Sequence, residues 1–298
     1  MVRKVRLIYN PAAGNTSFRH KLDYLIGKFQ QYGLQIVPYR TLCKEDIPAA
    51  LRETPAEAYS AIVAAGGDGT VHDVVNAMVD ARIEVPLAVI PAGTANDFAA
   101  HLHMPSTLDN LSAMVAAGNY REIDLGKAND RYFINVASAG LLTDVSHTIG
   151  LHFKNLFGKL AYYLKGLEQL PDFQPLPFRI DSEEYCGEEE LYLFLILNGS
   201  YAGGFRLVVP AQVDDGLLDV IAVRRCSLPY LISLMFKLAR GGGLQDRQVL
   251  YFQTKAVAFR STVTLTSDLD GEKGPLLPLQ IEVCPRKLKV FFQEGKPS

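Results

Sequence analysis

The stretch Ala64-Ala65-Gly66-Gly67-Asp68-Gly69-Thr70-Val71 constrains this chain more than any other. Ala61-Ile62-Val63 before it is a short apolar run, as in a buried strand. Val71, Val74, Val75, Met78 and Val79 after it recur at three- and four-residue spacing, as on one face of a helix. The three glycines between them permit positive φ and let a ligand reach the bare backbone. A helix N-terminus adds unpaired N–H groups and partial positive charge, so this strand–loop–helix suits a phosphate. Taken alone, it can also be read as a tight strand-to-helix turn.

The same alternation runs through the first half. Val5 to Tyr9 is an apolar strand that ends in the turn residues Asn10 to Gly14. Phe18, Leu22, Leu25, Phe29 and Tyr32 mark a helix stopped by Gly33. Leu34 to Tyr39 is a second strand, with Thr41 and a weaker helix from Glu45 to Arg52 behind it. Leu87 to Ile90 is a fourth strand, running into Pro91-Ala92-Gly93-Thr94-Ala95-Asn96-Asp97-Phe98. A helix from Thr107 to Ala117 ends at Gly118. Repeated strand–helix units predict a doubly wound parallel sheet with helices on both faces. Ligands of such sheets bind beyond the carboxyl ends of the strands. Three loops rich in Gly, Asn, Asp and Thr fall there: Asn10 to Gly14, Gly66 to Thr70 and Pro91 to Asp97. That convergence favours a nucleotide site over a bare turn. Neither a P-loop nor a GxGxxG fingerprint is present, so the phosphate cradle is of another design.

From Lys127 the texture changes. Asn129-Asp130 is a turn, and Arg131 to Val136 reads as one strand. Leu151 to Leu170 has helical apolar spacing with Lys154, Lys159 and Lys165 interspersed. It reads either as a helix covering a sheet or as one that touches a membrane surface. Further strands are expected at Phe178 to Ile180, Glu190 to Leu197, Arg206 to Val209 and Leu217 to Val223. Ser227 can cap a helix from Leu228 to Arg240, and strands return from Gln248 to Phe292. Many short strands predict an all-β sandwich. Asp214-Asp215-Gly216 and Asp268-Leu269-Asp270-Gly271-Glu272 are read as turns, or as carboxylates serving a hard cation or a hydroxyl proton.

A net charge of −2 does not favour a nucleic-acid partner, and no run of about 18 apolar residues predicts a membrane span. Cys43, Cys186, Cys226 and Cys284 lack CxxC spacing and read as reduced thiols. With no signal-peptide pattern at the N-terminus, a cytoplasmic location is expected.

Together these residues resemble the diacylglycerol kinase catalytic family, in particular its bacterial soluble lipid kinases. The resemblance rests on the Asn10 to Gly14 loop, Gly66 to Thr70, the Pro91 to Phe98 run and Asp270-Gly271-Glu272, in the family's order. It implies an α/β ATP-binding domain over 1–124 and a β-sandwich lipid domain over 125–298, whose C-terminal tail packs back on the first. It implies ATP contacts at Asn10, Pro11, Ala12, Ala13, Gly14, Thr41, Gly66, Gly67, Asp68, Gly69, Thr70, Val71, His72, Thr94, Asn96 and Asp97. Asp68 would help to place magnesium and phosphates, and Asp97 and Asp124 would be supporting carboxylates. A structural Mg2+ would sit at Asp215, with backbone carbonyls of Gln212 and Leu217. Glu272 matches the family's proton acceptor, with Asp270 beside it. The implied reaction is ATP- and Mg-dependent phosphorylation of a lipid hydroxyl, diacylglycerol by default, by an enzyme that visits a membrane surface peripherally and could be a homodimer. An NAD kinase shares the glycine loop, and a non-catalytic nucleotide-binding regulator is the other alternative.

Overall fold

The computed structural model describes residues 3–11, 17–53, 58–140, 174–199, 201–202, 205–206, 212–240 and 242–292. They form two compact units: Met1–Ile123 with Arg286–Ser298, and Asp124–Pro285. The expected 151–170 helix, with its three lysines, lies outside the described residues.

The first unit is built on parallel strands. These are β1 (Arg3–Tyr9), β2 (Leu34–Arg40), β3 (Ala61–Gly66) and β4 (Leu87–Pro91). They lie in the order β2-β1-β3-β4, joined at the far side by the end of the last strand of the chain through Val290 beside Leu87. All six residues of β3 are buried, as a strand covered on both faces requires. On one face, α1 (Leu22–Gln31) and α5 (Leu108–Ala117) bury Leu25, Phe29, Leu111 and Met114 against Val5, Leu7, Val63 and Ile90. Each such fully buried side chain contributes about 1.5–3 kcal/mol. Two further helices, α2 (Asp46–Arg52) and α3 (Asp68–Asp80), pack on each other, and α3 packs on β3. The helix expected from Phe18 begins as a 3-10 turn over Ser17–Lys21 before α1. A short helix that periodicity does not reveal, α4 (Asp97–His101), follows β4.

Register sets the strand ends level. Tyr9 pairs with both Arg40 and Ala65, and Gly66 pairs with Pro91. The loops leaving β1, β2, β3 and β4 therefore start from one edge of the sheet.

The second unit is antiparallel. Its strands begin with β5 (Tyr120–Ala128), which enters it from the first unit, β6 (Arg131–Phe133) and β7 (Val136–Gly140). Then come β8 (Leu176–Ser182), β9 (Cys186–Leu197), the two-residue pair β10 (Tyr201–Ala202) and β11 (Phe205–Arg206), and β12 (Leu218–Arg224). After α6 (Leu228–Ala239) follow β13 (Val249–Thr254), β14 (Ala256–Ser261), β15 (Thr266–Leu269), β16 (Glu272–Leu276) and β17 (Leu279–Phe291). The N-terminal half of β9 pairs with β8, and its C-terminal half is flanked by β7 and β12. One long strand thereby serves both layers of a β-sandwich. The core holds Phe178, Phe194 and Phe259, with the last two rings stacked at 3.8 Å between centroids. Ser227 stands at the N-cap of α6 without a side-chain capping bond, and the proline in the first turn of the helix presets its start.

Candidate active site

The carboxyl edge of the first sheet is stitched loop to loop. Asn10 donates its N–H to Ala65 O at 3.1 Å, and Ala92 N–H reaches Gly66 O at 2.9 Å. Thr41 is buried and binds Tyr9 O through its N–H at 3.0 Å and its hydroxyl at 3.2 Å. Pro11 is half-buried beside them, while Ala12, Ala13 and Gly14 lie outside the described residues.

The two glycine loops touch backbone to backbone. A Cβ built on Gly93 would stand 2.5 Å from Gly67 Cα, and one on Gly66 would stand 2.5 Å from Thr70 Cβ. No residue but glycine fits there, for reasons of contact rather than of φ. Asn96 adopts the left-handed region at φ 54°, which asparagine tolerates. Its side chain ties the loop to itself, with Oδ1 accepting from Gly93 N–H at 2.8 Å and Nδ2 donating to Gly93 O at 3.0 Å. Asp68 bridges the loops: its carboxylate accepts from Asn96 N–H at 2.7 Å and lies 3.5 Å from Phe98 N.

Asp68 is also the first residue of α3, whose opening i to i−4 bond runs from Val71 N–H to Gly67 O. The helix itself has no use for the N–H groups of Gly69 and Thr70. They are available, with the positive end of the helix dipole, for an anion. Val71 and His72 are buried and seat the helix, and Asp97 is buried at the start of α4. Thr94 is exposed on the loop.

In the second unit, Asp270-Gly271 forms a two-residue hairpin loop between β15 and β16, with φ of 55° and 91°. Positive φ at both positions is the type I′ geometry that suits a twisted hairpin. The Asp270 carboxylate, however, does more than turn the chain. Oδ2 accepts from Ile134 N–H at 2.8 Å, and Oδ1 accepts from Asn135 N–H at 2.8 Å and Val136 N–H at 3.0 Å. These bonds break the strand expected over Arg131 to Val136 into β6 and β7, because its N–H groups turn toward Asp270 rather than into a ladder. Glu272 follows directly, half-buried at the head of β16.

The Asp214-Asp215-Gly216 turn lies in the same unit. Its Gly216 N–H donates to Asp124 Oδ2 at 2.7 Å, and Asp124 N–H donates to Val213 O at 2.6 Å. Asp215 accepts from Leu217 N–H at 3.0 Å. Burial, reinforced by the charges of Asp124 and Asp214, raises the Asp215 carboxyl above its ordinary range. A carboxylate crowded in this way is one that a cation would relieve. Among the described residues no three His, Cys, Asp or Glu side chains gather closely enough to enclose a metal. A single carboxylate is compatible with magnesium nonetheless, since that ion keeps several waters.

Sequence reasoning missed two further groups here. Asn198 is buried and donates from Nδ2 to both Asp124 O and Ile134 O, each at 2.9 Å. Asp219 is buried, accepts from the Tyr251 hydroxyl at 2.5 Å, and is pushed up by that burial. Asn198 opens an Asn-Gly-Ser triplet of the glycosylation type, which carries no signal for this role, and Asp219 stands in no motif; only a polar residue inside an apolar strand run could have drawn attention to it.

Residues 4–128 match the model of the diacylglycerol kinase catalytic domain, and 135–292 match that of the YegS C-terminal NAD kinase beta sandwich-like domain. The chain is 35% identical to a diacylglycerol kinase of Bacillus subtilis (strain 168) over 99% of its own length and 98% of the relative's. It is 36% identical to a diacylglycerol kinase of Staphylococcus aureus (strain MRSA252), over 98% and 93% of the two chains. A solved structure from Bacillus anthracis str. Sterne superposes with a TM-score of 0.82 at 27% identity, covering 98% of this chain and 96% of that one. A second, of a diacylglycerol kinase from the same organism, shares the fold with a TM-score of 0.76 at 24% identity, covering 98% of each chain. With its glycine loops, its sandwich and near full-length relatives in agreement, the chain belongs to the diacylglycerol kinase catalytic family and is a lipid kinase.

Proposed function

We propose that this enzyme transfers the γ-phosphoryl group of ATP to a lipid hydroxyl, with diacylglycerol as acceptor and phosphatidic acid as product. The observation that carries the reading is the Asp270 clamp, in which three backbone N–H groups at 2.8–3.0 Å lock a tight hairpin one residue before the half-buried Glu272. A loop pinned so firmly supports a role in holding a reacting group still.

Phosphoryl transfer depends on in-line positioning and on neutralising phosphate charge more than on covalent catalysis. The first-turn amides of α3, with the glycine backbones of Gly67 and Gly93 close by, suit the donor's phosphates. Asp68 holds the two loops in register and, with Asp97, is the carboxylate nearest the cradle in the chain. The acceptor is a poor nucleophile until its proton leaves. In the proposed step the alcohol oxygen bonds to the γ-phosphorus while the bridge to the β-phosphate breaks. Its proton passes to a Glu272 oxygen, and ADP departs with the bridging oxygen's electron pair. Asp68 would help to hold a Mg2+ that supplies charge neutralisation on the phosphates, and Asp215 would hold a separate, structural one. Asp270 acts through the backbone of Ile134 to Val136, so its part is to position rather than to touch the acceptor.

Among the described residues no helix is long and apolar enough to cross a membrane. A peripheral visit to a lipid surface and a homodimeric assembly complete the proposal. Labelled ATP offered with a panel of lipid alcohols in mixed micelles, with and without magnesium, tests it. Label in phosphatidic acid only when magnesium is present is the expected result. Label in NAD and in no lipid would refute it.

A further inference from the structure

Asn198 follows directly on β9 and is 1% exposed, and of the groups the family resemblance implicates it reaches only the backbone oxygen of Asp124. Its bonds are unusual in what they join. The two Nδ2 hydrogens go to Asp124 O and Ile134 O at 2.9 Å each, and the backbone N–H goes to Asn135 O at 2.9 Å. Its Oδ1 is buried with no hydrogen-bond partner. An amide flipped the other way would satisfy Oδ1 no better and would face two carbonyl oxygens with a third. The residue is thus held where it is for its donors, at the expense of its acceptor.

What those donors control follows from the planarity of the peptide bond. Ile134 O and Asn135 N–H belong to one rigid unit, and Asn135 O and Val136 N–H belong to the next. Asn198 pins the oxygen of both units, and Asp270 Oδ1 receives the N–H of both, at 2.8 and 3.0 Å. Two consecutive peptides are therefore stretched between Asn198 on one side and the Glu272 hairpin on the other. The remaining Nδ2 bond continues to Asp124. Its side chain accepts from Gly216 N–H at 2.7 Å, and its own N–H holds Val213 O at 2.6 Å. The hydrogen-bonded path runs unbroken from the Val213–Gly216 turn, through Asp124 and Asn198, to Asp270 and the head of β16.

We propose that Asn198 is a positioning residue that couples the Asp215 turn to the hairpin carrying Glu272. The link to catalysis rests on the reading of Glu272 as proton acceptor; the mechanical link does not. Leucine keeps the γ-branched shape of asparagine in a larger volume and removes both side-chain donors and the orphan acceptor; Asn198→Ala, which removes the same groups and adds no bulk, separates hydrogen bonding from overpacking. Serine can keep one donor, and Asn198→Ser serves as the milder variant should the leucine one fold poorly.

The test is site-resolved amide hydrogen exchange on the full chain, with steady-state kinetics on the same preparations. In Asn198→Leu the amides of Asn135, Val136 and Gly216 are expected to exchange roughly tenfold faster or more, as local opening becomes easier. The Phe259 amide, in β14 of the same sandwich, should be unchanged. The kcat should fall by up to about 10²-fold, the loss that a misplacement of about 1 Å brings. KM for ATP should hold, and Asn198→Ser should lie between the two. Folded Asn198→Leu with wild-type exchange at Asn135 and Val136 would overturn the proposal, as would uniform acceleration that includes Phe259. If Glu272→Gln kept full turnover while the exchange pattern appeared, the assignment of Glu272 would fall and the coupling would stand.

Discussion

Gly93→Ala tests the contact on which the phosphate cradle is built. A Cβ at that position stands 2.5 Å from Gly67 Cα, 3.0 Å from Asn96 Oδ1 and 3.4 Å from Gly67 N. The nearest atoms are backbone, so no side chain can swing away. Carbon atoms settle at about 3.5–4.0 Å, so the two loops must part by about 1 Å. The Asn96 N–H to Asp68 bond, now 2.7 Å, would lengthen to roughly 3.7 Å, past the limit of a hydrogen bond. Overpacking of this kind costs about 1–3 kcal/mol. A misplacement of about 1 Å in a site typically costs about 10²-fold in rate. The expected result is a drop in melting temperature together with a large rise in the concentration of ATP needed for half-maximal turnover. Thermal shift reads the first, and an ATP titration, with fluorescent-nucleotide binding as a check on affinity, reads the second. Gly27→Ala is the control, since nothing lies within 4 Å of its Cβ and it sits inside α1. It should be neutral or should stabilise by about 0.5–1 kcal/mol. Gly93→Ala with wild-type ATP affinity and melting temperature would refute the argument.

Replacing Glu272 by Gln, which keeps the side chain's size and shape, should lower kcat by about 10²–10⁴-fold with the melting temperature preserved. Asp68→Ala should abolish most turnover and weaken nucleotide binding, because it removes the carboxylate that ties α3 to the backbone N–H groups of Asn96 and Phe98. Asp270→Ala strands three N–H groups and should destabilise the second unit by at least about 1–3 kcal/mol, seen in urea unfolding, besides slowing turnover. The Asp215 carboxyl is raised in the folded state, first by burial. The native protein therefore holds that proton to higher pH than the unfolded chain does. Its contribution to stability is full below the unfolded value and is lost as pH rises through the folded one. Asp215→Asn should accordingly raise the melting temperature near neutral pH without divalent cation, and should lose the further rise that magnesium gives the wild type. Equal magnesium shifts in both proteins would remove Asp215 from the cation site.

The strand–loop–helix at Gly66, the repeated units around it and the change to short strands after Lys127 are local patterns. Periodicity and turn chemistry are enough to read a doubly wound sheet and a sandwich from them. The order of the glycine loops and the late Asp270-Gly271-Glu272 pointed to a lipid kinase for the same reason: the chemistry is carried by contiguous residues. Tertiary structure decided what sequence periodicity cannot encode, which is the partner of each polar group. Asp270 reads as an ordinary Asp-Gly turn until Ile134, Asn135 and Val136 arrive from 134–136 residues away. Their capture breaks a strand that reads as continuous, because N–H groups given to a carboxylate are lost to the ladder. Gly67 needs Gly93 for a backbone contact 26 positions along the chain, and neither shows the need by itself. Asn198 resembles any residue at a strand end, and only the fold brings two carbonyls to its amide.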